Sequence, residues 1–222
     1  MNRVVLASSS PTRQAILRAA GIAPLILVPD VDEDAVTAAE SPGSVAEQVQ
    51  ILADAKSAAV LERLTADPRP VSTAPGDVLA VIAADSLLEL DGRPIGKPHT
   101  AQRAREVWHA MAGRTAHLHT GHVLTRLESG PMGLQRIGTQ RATSTTTVHI
   151  GRITDAELEA YIATGEPLEV AGALTIDGYG GAFVDSLEGD HLGVLGLSLP
   201  TLRRMSAALG LAWTSLWDTP GS

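Results

Sequence analysis

The first apolar run of the chain, Arg3 to Ala7, carries no polar alternation and predicts a short buried strand. Ser8, Ser9 and Ser10 follow, then Pro11 and a helical pattern carrying Ile16, Leu17 and Ala20. Ser10 as N-cap, Pro11 at the first helical position and Gly21 as the stop bound this helix. A strand, a hydroxyl-rich turn and a helix N-terminus in succession point free N–H groups and a positive dipole end at whatever lies above. That arrangement suits a phosphate, and it is equally explained by plain capping.

From Ser44 to Leu64 the period is helical again, with Val45, Val49, Leu52, Ala59 and Val60 on one stripe. Lys56 falls on that stripe, so it either snorkels outward or reaches a polar cleft at the edge of the core. Thr65 to Asp77 and Glu128 to Thr143 read as surface loops. Between them, Val78 to Ala84 fits a strand buried on both faces that ends at Asp85. Leu87 to Leu90, the Asp91-Gly92 pair and Arg93 to Ile95 then form a hairpin signature. If Leu90 and Arg93 flank its turn, Lys97 lies opposite Ser86 and beside Asp85. The pair is then either a structural ion pair or reactive machinery.

Further along, Thr100 to Ala112 predicts a helix, Thr115 to Thr125 and Thr145 to Ile150 predict strands, and Asp155 to Thr164 predicts a helix capped by Thr154. A glycine-dense stretch follows, whose apolar runs around Leu174 and Phe183 predict two strands separated by tight turns. A helix from Leu199 to Leu209, stopped by Gly210, closes the pattern. Strands and helices that alternate first and mix later predict an α/β protein with some antiparallel strands.

Composition narrows this picture. A chain of 222 residues holds one sizeable core or two small lobes sharing a sheet. Its 17 Lys and Arg against 25 Asp and Glu give a net charge of -8, which offers nothing to duplex nucleic acid or an anionic membrane. With no cysteine, disulfides, thiolate catalysis and cysteine zinc sites are excluded. The N-terminal apolar run is too short for a secretory signal and nowhere do about 18 apolar residues run together, so cytoplasmic residence is expected.

The GxGxxG, GxxxxGK[ST], GxSxG and HExxH signatures are all missing. Of His117, His119 and His122, the first two would share a strand face, but no fourth ligand has matching spacing for zinc. What remains at the ends of predicted elements is Ser8, Ser10, Arg13, Glu33 in the acidic stretch DVDED, Lys56, Asp85 and Lys97. Cations and hydroxyls with two carboxylates are what polyphosphate cleavage needs. The cations take phosphate oxygens, and the carboxylates hold a divalent ion or orient a water.

The segments LASSSPTR, VDED, LADAK, AADSLLELDGRPIGKP, AGRTAHLHTG, YIATGEPLEVAG and GVLGLSLP, in that order, resemble the Maf family from about Arg3 to Leu209. The resemblance implies a nucleotide pyrophosphatase acting on noncanonical or pyrimidine triphosphates with a divalent metal, Mg²⁺ or Mn²⁺. It implies a fold similar to the inosine triphosphatase type, an elongated mixed sheet with two lobes around a cleft. Residues 1–213 would form that domain and 214–222 a C-terminal tail; a homodimer is in keeping with the family's habit. Carried over by position, Asp85, Lys56 and Lys97 are implied as catalytic and Glu33 and Asp85 as metal ligands. Ser8, Ser10, Thr12, Arg13, Ser86 and Asp177 are implied to contact substrate. Thr12 replaces the family's first arginine, Val170 replaces a lysine, and Asp177 stands where many members carry glutamine, so the base-recognition set is altered. Ser86 is nearer the form linked with dTTP and UTP. The family's link with septum formation leaves a second reading, a nucleotide-binding regulator of cell division acting through a protein partner. Retention of Asp85, Lys56 and Lys97 favours the enzyme.

Overall fold

The computed structural model describes residues 2–71 and 73–218, with only the backbone of Pro70. Its centre is a seven-stranded mixed sheet: β1 (Asn2–Ala7), β2 (Leu25–Ile26), β3 (Val78–Leu90), β4 (Arg93–Ile95), β5 (Thr115–Gly130), β6 (Gly133–Ile150) and β7 (Val184–Glu188). The order is β2-β1-β3-β5-β6-β7, with β4 attached to β3. β1 runs parallel to β2 and β3, and the remaining pairs are antiparallel. Among the described residues seven helices surround it: α1 (Pro11–Ala19), α2 (Glu33–Glu40), α3 (Val45–Ala66), α4 (Ala101–Met111), α5 (Asp155–Ala163), α6 (His191–Val194) and α7 (Leu199–Ala208). Their starts follow capping chemistry: Ser10, Asp32, Ser44, Thr100, Thr154 and Ser198 each accept a first-turn N–H, and Thr154 forms a full capping box with Glu157.

Alternation along β3 distributes the core. Leu79, Val81 and Ala83 face α3, whereas Ala80, Ile82 and Ala84 face α1 and α7. Helix α3 approaches so closely that a Cβ on Gly121 would collide with the Val49 carbonyl. Farther along β3, Leu88 and Leu90 join a separate cluster with α4 and α5, centred on Trp108. Trp108 meets Tyr161 and Phe183 edge-on at 5.7 and 5.8 Å and donates its indole N–H to Ala173 O at 3.0 Å. Two packed regions thus share one sheet.

Between those regions the sheet is incomplete. β1 pairs with β3 up to Ala7↔Ala83, and β4 takes over that same edge only at Leu88↔Ile95. On that side Ala84 to Leu87 have no strand neighbour among the described residues, while β5 continues unbroken on the other. The opening falls on Asp85 and Ser86.

Several sequence expectations change here. β3 does not end at Asp85 but runs through it to Leu90. Glu128 to Thr143 is no loop: β5 and β6 form a long ribbon turning between Gly130 and Gly133. Its Thr, Arg and Gln resemble loop residues, yet β-branched threonines with alternating exposure suit a strand with one solvated face. Thr65 and Ala66 extend α3, and Arg69–Val71 makes a 3-10 turn. Around Leu174 the backbone forms turns rather than a strand, because Gly172 and Ala173 take left-handed φ values of 71° and 56°. Near Phe183 the expectation holds in part, a 3-10 turn leading into β7. Residues 219–222 of the expected tail lie outside the described residues.

Candidate active site

A cleft of about 970 Å³ lies at the opening in the sheet edge. One wall is the turn from β1 into α1. Ser8, buried at the end of β1, accepts N–H donors from Ser10 at 3.2 Å and from the Arg13 guanidinium at 3.1 Å. Ser10 accepts from the Arg13 amide at 3.4 Å as N-cap. The Arg13 side chain lies inward. Its Nε donates to Gly196 O at 2.8 Å and a terminal nitrogen donates to Ser86 Oγ at 3.0 Å. Ser86 Oγ in turn lies 2.8 Å from Thr120 Oγ1, which donates to Gly193 O. Burial lowers the Arg13 pKa, opposed by the negative charges of Asp85 and Glu33. Among the described residues no carboxylate forms an ion pair with Arg13, so this inward cation is neutralised only at a distance.

The adjacent residue on β3 faces the opposite way. Asp85, 6% exposed, reaches Lys56 of α3, 8% exposed, with Oδ1 at 2.5 Å from Nζ. The same ammonium lies 2.8 Å from Glu33 Oε1 at the first turn of α2. Lys56 therefore does not snorkel; it joins two carboxylates from different elements. The hairpin has the expected register, Leu90↔Arg93 and Leu88↔Ile95, but β4 stops at Ile95 and Lys97 leaves the ladder. Lys97 lines the cleft as an exposed side chain without an ion-pair partner among the described residues. The partner of Asp85 is thus Lys56, not Lys97.

The far wall comes from the turns between α5 and β7, where Glu169, Val170, Leu174, Thr175 and Asp177 face the cleft. Thr12, from the first turn of α1, and the exposed Asp177 also line it. The cleft gathers every residue expected from the sequence: Ser8, Ser10, Thr12, Arg13, Glu33, Lys56, Asp85, Ser86, Lys97 and Asp177.

Sequence reasoning missed the second layer. Gly196, at φ 102°, supplies the carbonyl that holds Arg13, and a Cβ there would press on that guanidinium at 3.2 Å. Thr120 ties Ser86 to the α6 turn. His122, on the face opposite His117 and His119, accepts the Ser198 amide at 2.9 Å and so holds the start of α7. Clustered glycines near the end of the chain were the only local signal. His119 is buried against Glu89 at 3.0 Å and Thr145 at 2.9 Å, and His117 is exposed. Among the described residues no three His, Cys, Asp or Glu side chains stand where they could hold a metal ion, and no helix is long and apolar enough to cross a membrane.

Comparison with known proteins adds the family. Residues 3–209 match the sequence profile described as Maf-like protein. The chain is 47% identical over 221 residues to a nucleoside triphosphate pyrophosphatase of Nocardia farcinica, covering 98% of this chain and 97% of that one. A protein of the same name from Rhodococcus jostii is 46% identical over 222 residues, covering 100% and 99%. Among solved structures, the Staphylococcus aureus Ham1 protein aligns over 94% of this chain and 99% of its own at 15% identity and a TM-score of 0.47, too distant to bear on chemistry. With motifs, cleft residues and full-length relatives in agreement, the chain belongs to the Maf-like family.

Proposed function

We propose that this chain, like its relatives, is a nucleoside triphosphate pyrophosphatase that releases the monophosphate and pyrophosphate. The observation that carries this reading is the convergence in one cleft of the Lys56–Asp85–Glu33 cluster with the inward guanidinium of Arg13. Arg13, Lys97 and the hydroxyl-rich turn at Ser8 and Ser10 take the phosphate oxygens, where fixed donors offset charge that builds up during cleavage. Water attacks the α-phosphorus, and Asp85 accepts its proton on a carboxylate oxygen. The bond from the α-phosphorus to its bridging oxygen breaks, and pyrophosphate departs. Lys56 holds Asp85 in place through the 2.5 Å contact and offsets its charge next to Glu33.

The carboxylates also suit a small divalent cation. They converge on one point, presently the Lys56 ammonium, and hard oxygen donors at a shared point match Mg²⁺ or Mn²⁺, which keep waters and substrate phosphates as further ligands. Glu33 and Asp85 would hold the ion, which when bound withdraws charge from phosphate oxygens.

For the base, pyrimidine triphosphates such as dTTP and UTP are the proposed substrates, with Thr12 and Asp177 as the altered contacts. The test is pyrophosphate release from dTTP, UTP, CTP, GTP and a modified purine triphosphate with Mg²⁺ or Mn²⁺. Release from at least one supports the enzyme; release from none favours the nucleotide-binding regulator.

A further inference from the structure

Glu166 lies outside the phosphate machinery, yet one carboxylate there receives four hydrogen bonds. Oε1 accepts the Tyr161 hydroxyl at 3.0 Å, the Thr175 hydroxyl at 2.9 Å and the Gly180 amide at 2.9 Å, while Oε2 accepts the Tyr179 amide at 2.9 Å. These donors come from three places: the last turn of α5, the cleft-facing segment at Thr175, and the turn leading to β7. Hydrogen bonds to an ionised acceptor are roughly twice as strong as neutral ones. Burial raises the Glu166 pKa, but the amides of Gly180 and Tyr179 and the hydroxyls of Thr175 and Tyr161 outweigh it and leave the carboxyl below its usual range.

The segment between the donors, Thr175 to Tyr179, has no strand partner among the described residues and includes Asp177 on the cleft wall. Tyr161 is buried beside Trp108, so the clamp ties that segment to the packed aromatic cluster. A turn without a ladder is held by fewer backbone bonds than a strand, here the Gly181 N–H to Gly178 O bond, and so leans on side-chain contacts to keep one shape. Selective recognition needs contact atoms held to a fraction of an ångström.

We propose that Glu166 is a positioning residue for nucleotide-base selectivity: it fixes the Thr175–Asp177 wall without touching the reacting phosphates. This rests on the nucleotide reading of the cleft. The test uses Kd values for the non-hydrolysable α,β-methylene analogues of dTTP, UTP, CTP and GTP, in the wild type and in Glu166→Gln. Glutamine keeps one acceptor and turns an N–H₂ toward a donor, which loosens the clamp at nearly constant volume.

The expected result is that the ratio of best to worst Kd shrinks about tenfold, as the loss of fixed polar contacts predicts. In turnover, KM for the best nucleotide should rise while kcat stays within about threefold. A lower melting temperature with the Kd ratio and KM unchanged would show a structural role only and overturn the proposal. So would wild-type protein that binds all four analogues equally, or none. If Glu166→Gln does not fold, Tyr161→Phe decides. It removes one donor with little change of volume, and a shift in the same direction supports the clamp, whereas an unchanged ratio refutes it. Because the primary readout is binding, absent pyrophosphate release sinks the pyrophosphatase reading without deciding this one.

Discussion

The two walls of the cleft are built differently. The phosphate wall stands on regular elements: β1 feeds α1, β3 carries Asp85 and Ser86, α3 carries Lys56, and the polar side chains bind one another across those elements. The opposite wall is a chain of turns joined by the four hydrogen bonds to Glu166, and its exposed Asp177 makes no hydrogen bond or ion pair among the described residues. On the proposed reading, groups that meet a reacting phosphorus sit where packing leaves little freedom, and groups that would distinguish one base from another sit where sequence can change without unpicking the sheet.

The sharpest way to break this contrast is Asp85→Asn. The side chain keeps its shape but can neither accept a proton nor serve as an anionic ligand. Turnover should fall by about 100-fold or more, with circular dichroism unchanged. A near-normal rate under saturating metal would remove Asp85 from the mechanism.

The two lysines sharpen it next. Lys56→Ala leaves Asp85 and Glu33 facing each other without a cation, so it should lower both rate and melting temperature. Fully enclosed pairs cost about 3–5 kcal/mol when broken. Glu33 has a side chain 51% exposed, so a loss of order 2 kcal/mol is expected from thermal denaturation. Lys97→Ala, with no ion-pair partner to abandon among the described residues, should raise KM several-fold at an unchanged melting temperature. If the two variants behave alike, the buried cluster and the open rim are not distinct in function.

On the far wall, Asp177→Gln should change base preference alone. Ionised aspartate only accepts hydrogen bonds, whereas glutamine also donates, so kcat/KM ratios among dTTP, UTP, CTP and GTP should shift several-fold in steady-state assays. Unaltered ratios would mean that Asp177 faces solvent rather than substrate.

The smallest effect belongs to His122. Burial pushes its pKa down to about 4 from an ordinary 6.5, and Nε2 accepts the Ser198 amide, so the ring is neutral with its proton on Nδ1, toward Ala142 O. Above about pH 6.5 neither folded nor unfolded chain protonates it. As pH falls from 6.5 toward 4 the unfolded chain takes up a proton that the folded one refuses, so stability declines in that window. Melting temperature against pH should slope there, and His122→Asn should flatten the slope while lowering the plateau.

What the sequence revealed follows the range of its signals. The Ser10–Pro11 cap, the Lys56 stripe and the Asp91-Gly92 hairpin register are local, and the structure reproduces each. The same local view made Lys97 the neighbour of Asp85, because hairpin geometry can be read along the chain whereas the packing of α3 on the sheet cannot. Of the β5–β6 ribbon, the stretches Thr115 to Thr125 and Thr145 to Ile150 were legible as strands, whereas Glu128 to Thr143 was hidden by strand residues too polar to announce a buried face. Gly196 and Glu166 act through partners far away or through turns, and glycine density alone does not say which carbonyl or carboxylate will matter.

The opening at Ala84 to Leu87 also limits where the chain can change length. Added residues are easily absorbed at an exposed turn such as Pro131 and Met132. Two residues added to the end of β1 would instead extend pairing over Ala84 and Asp85, and one more rung on β4 would cover Leu87, so that lengthening either strand narrows the opening where Asp85 and Ser86 meet the cleft. The turn at Ser8 to Ser10 and the exit at Gly96 and Lys97 are therefore spacers of set length, and insertion scanning should find them intolerant even where single substitutions are accepted.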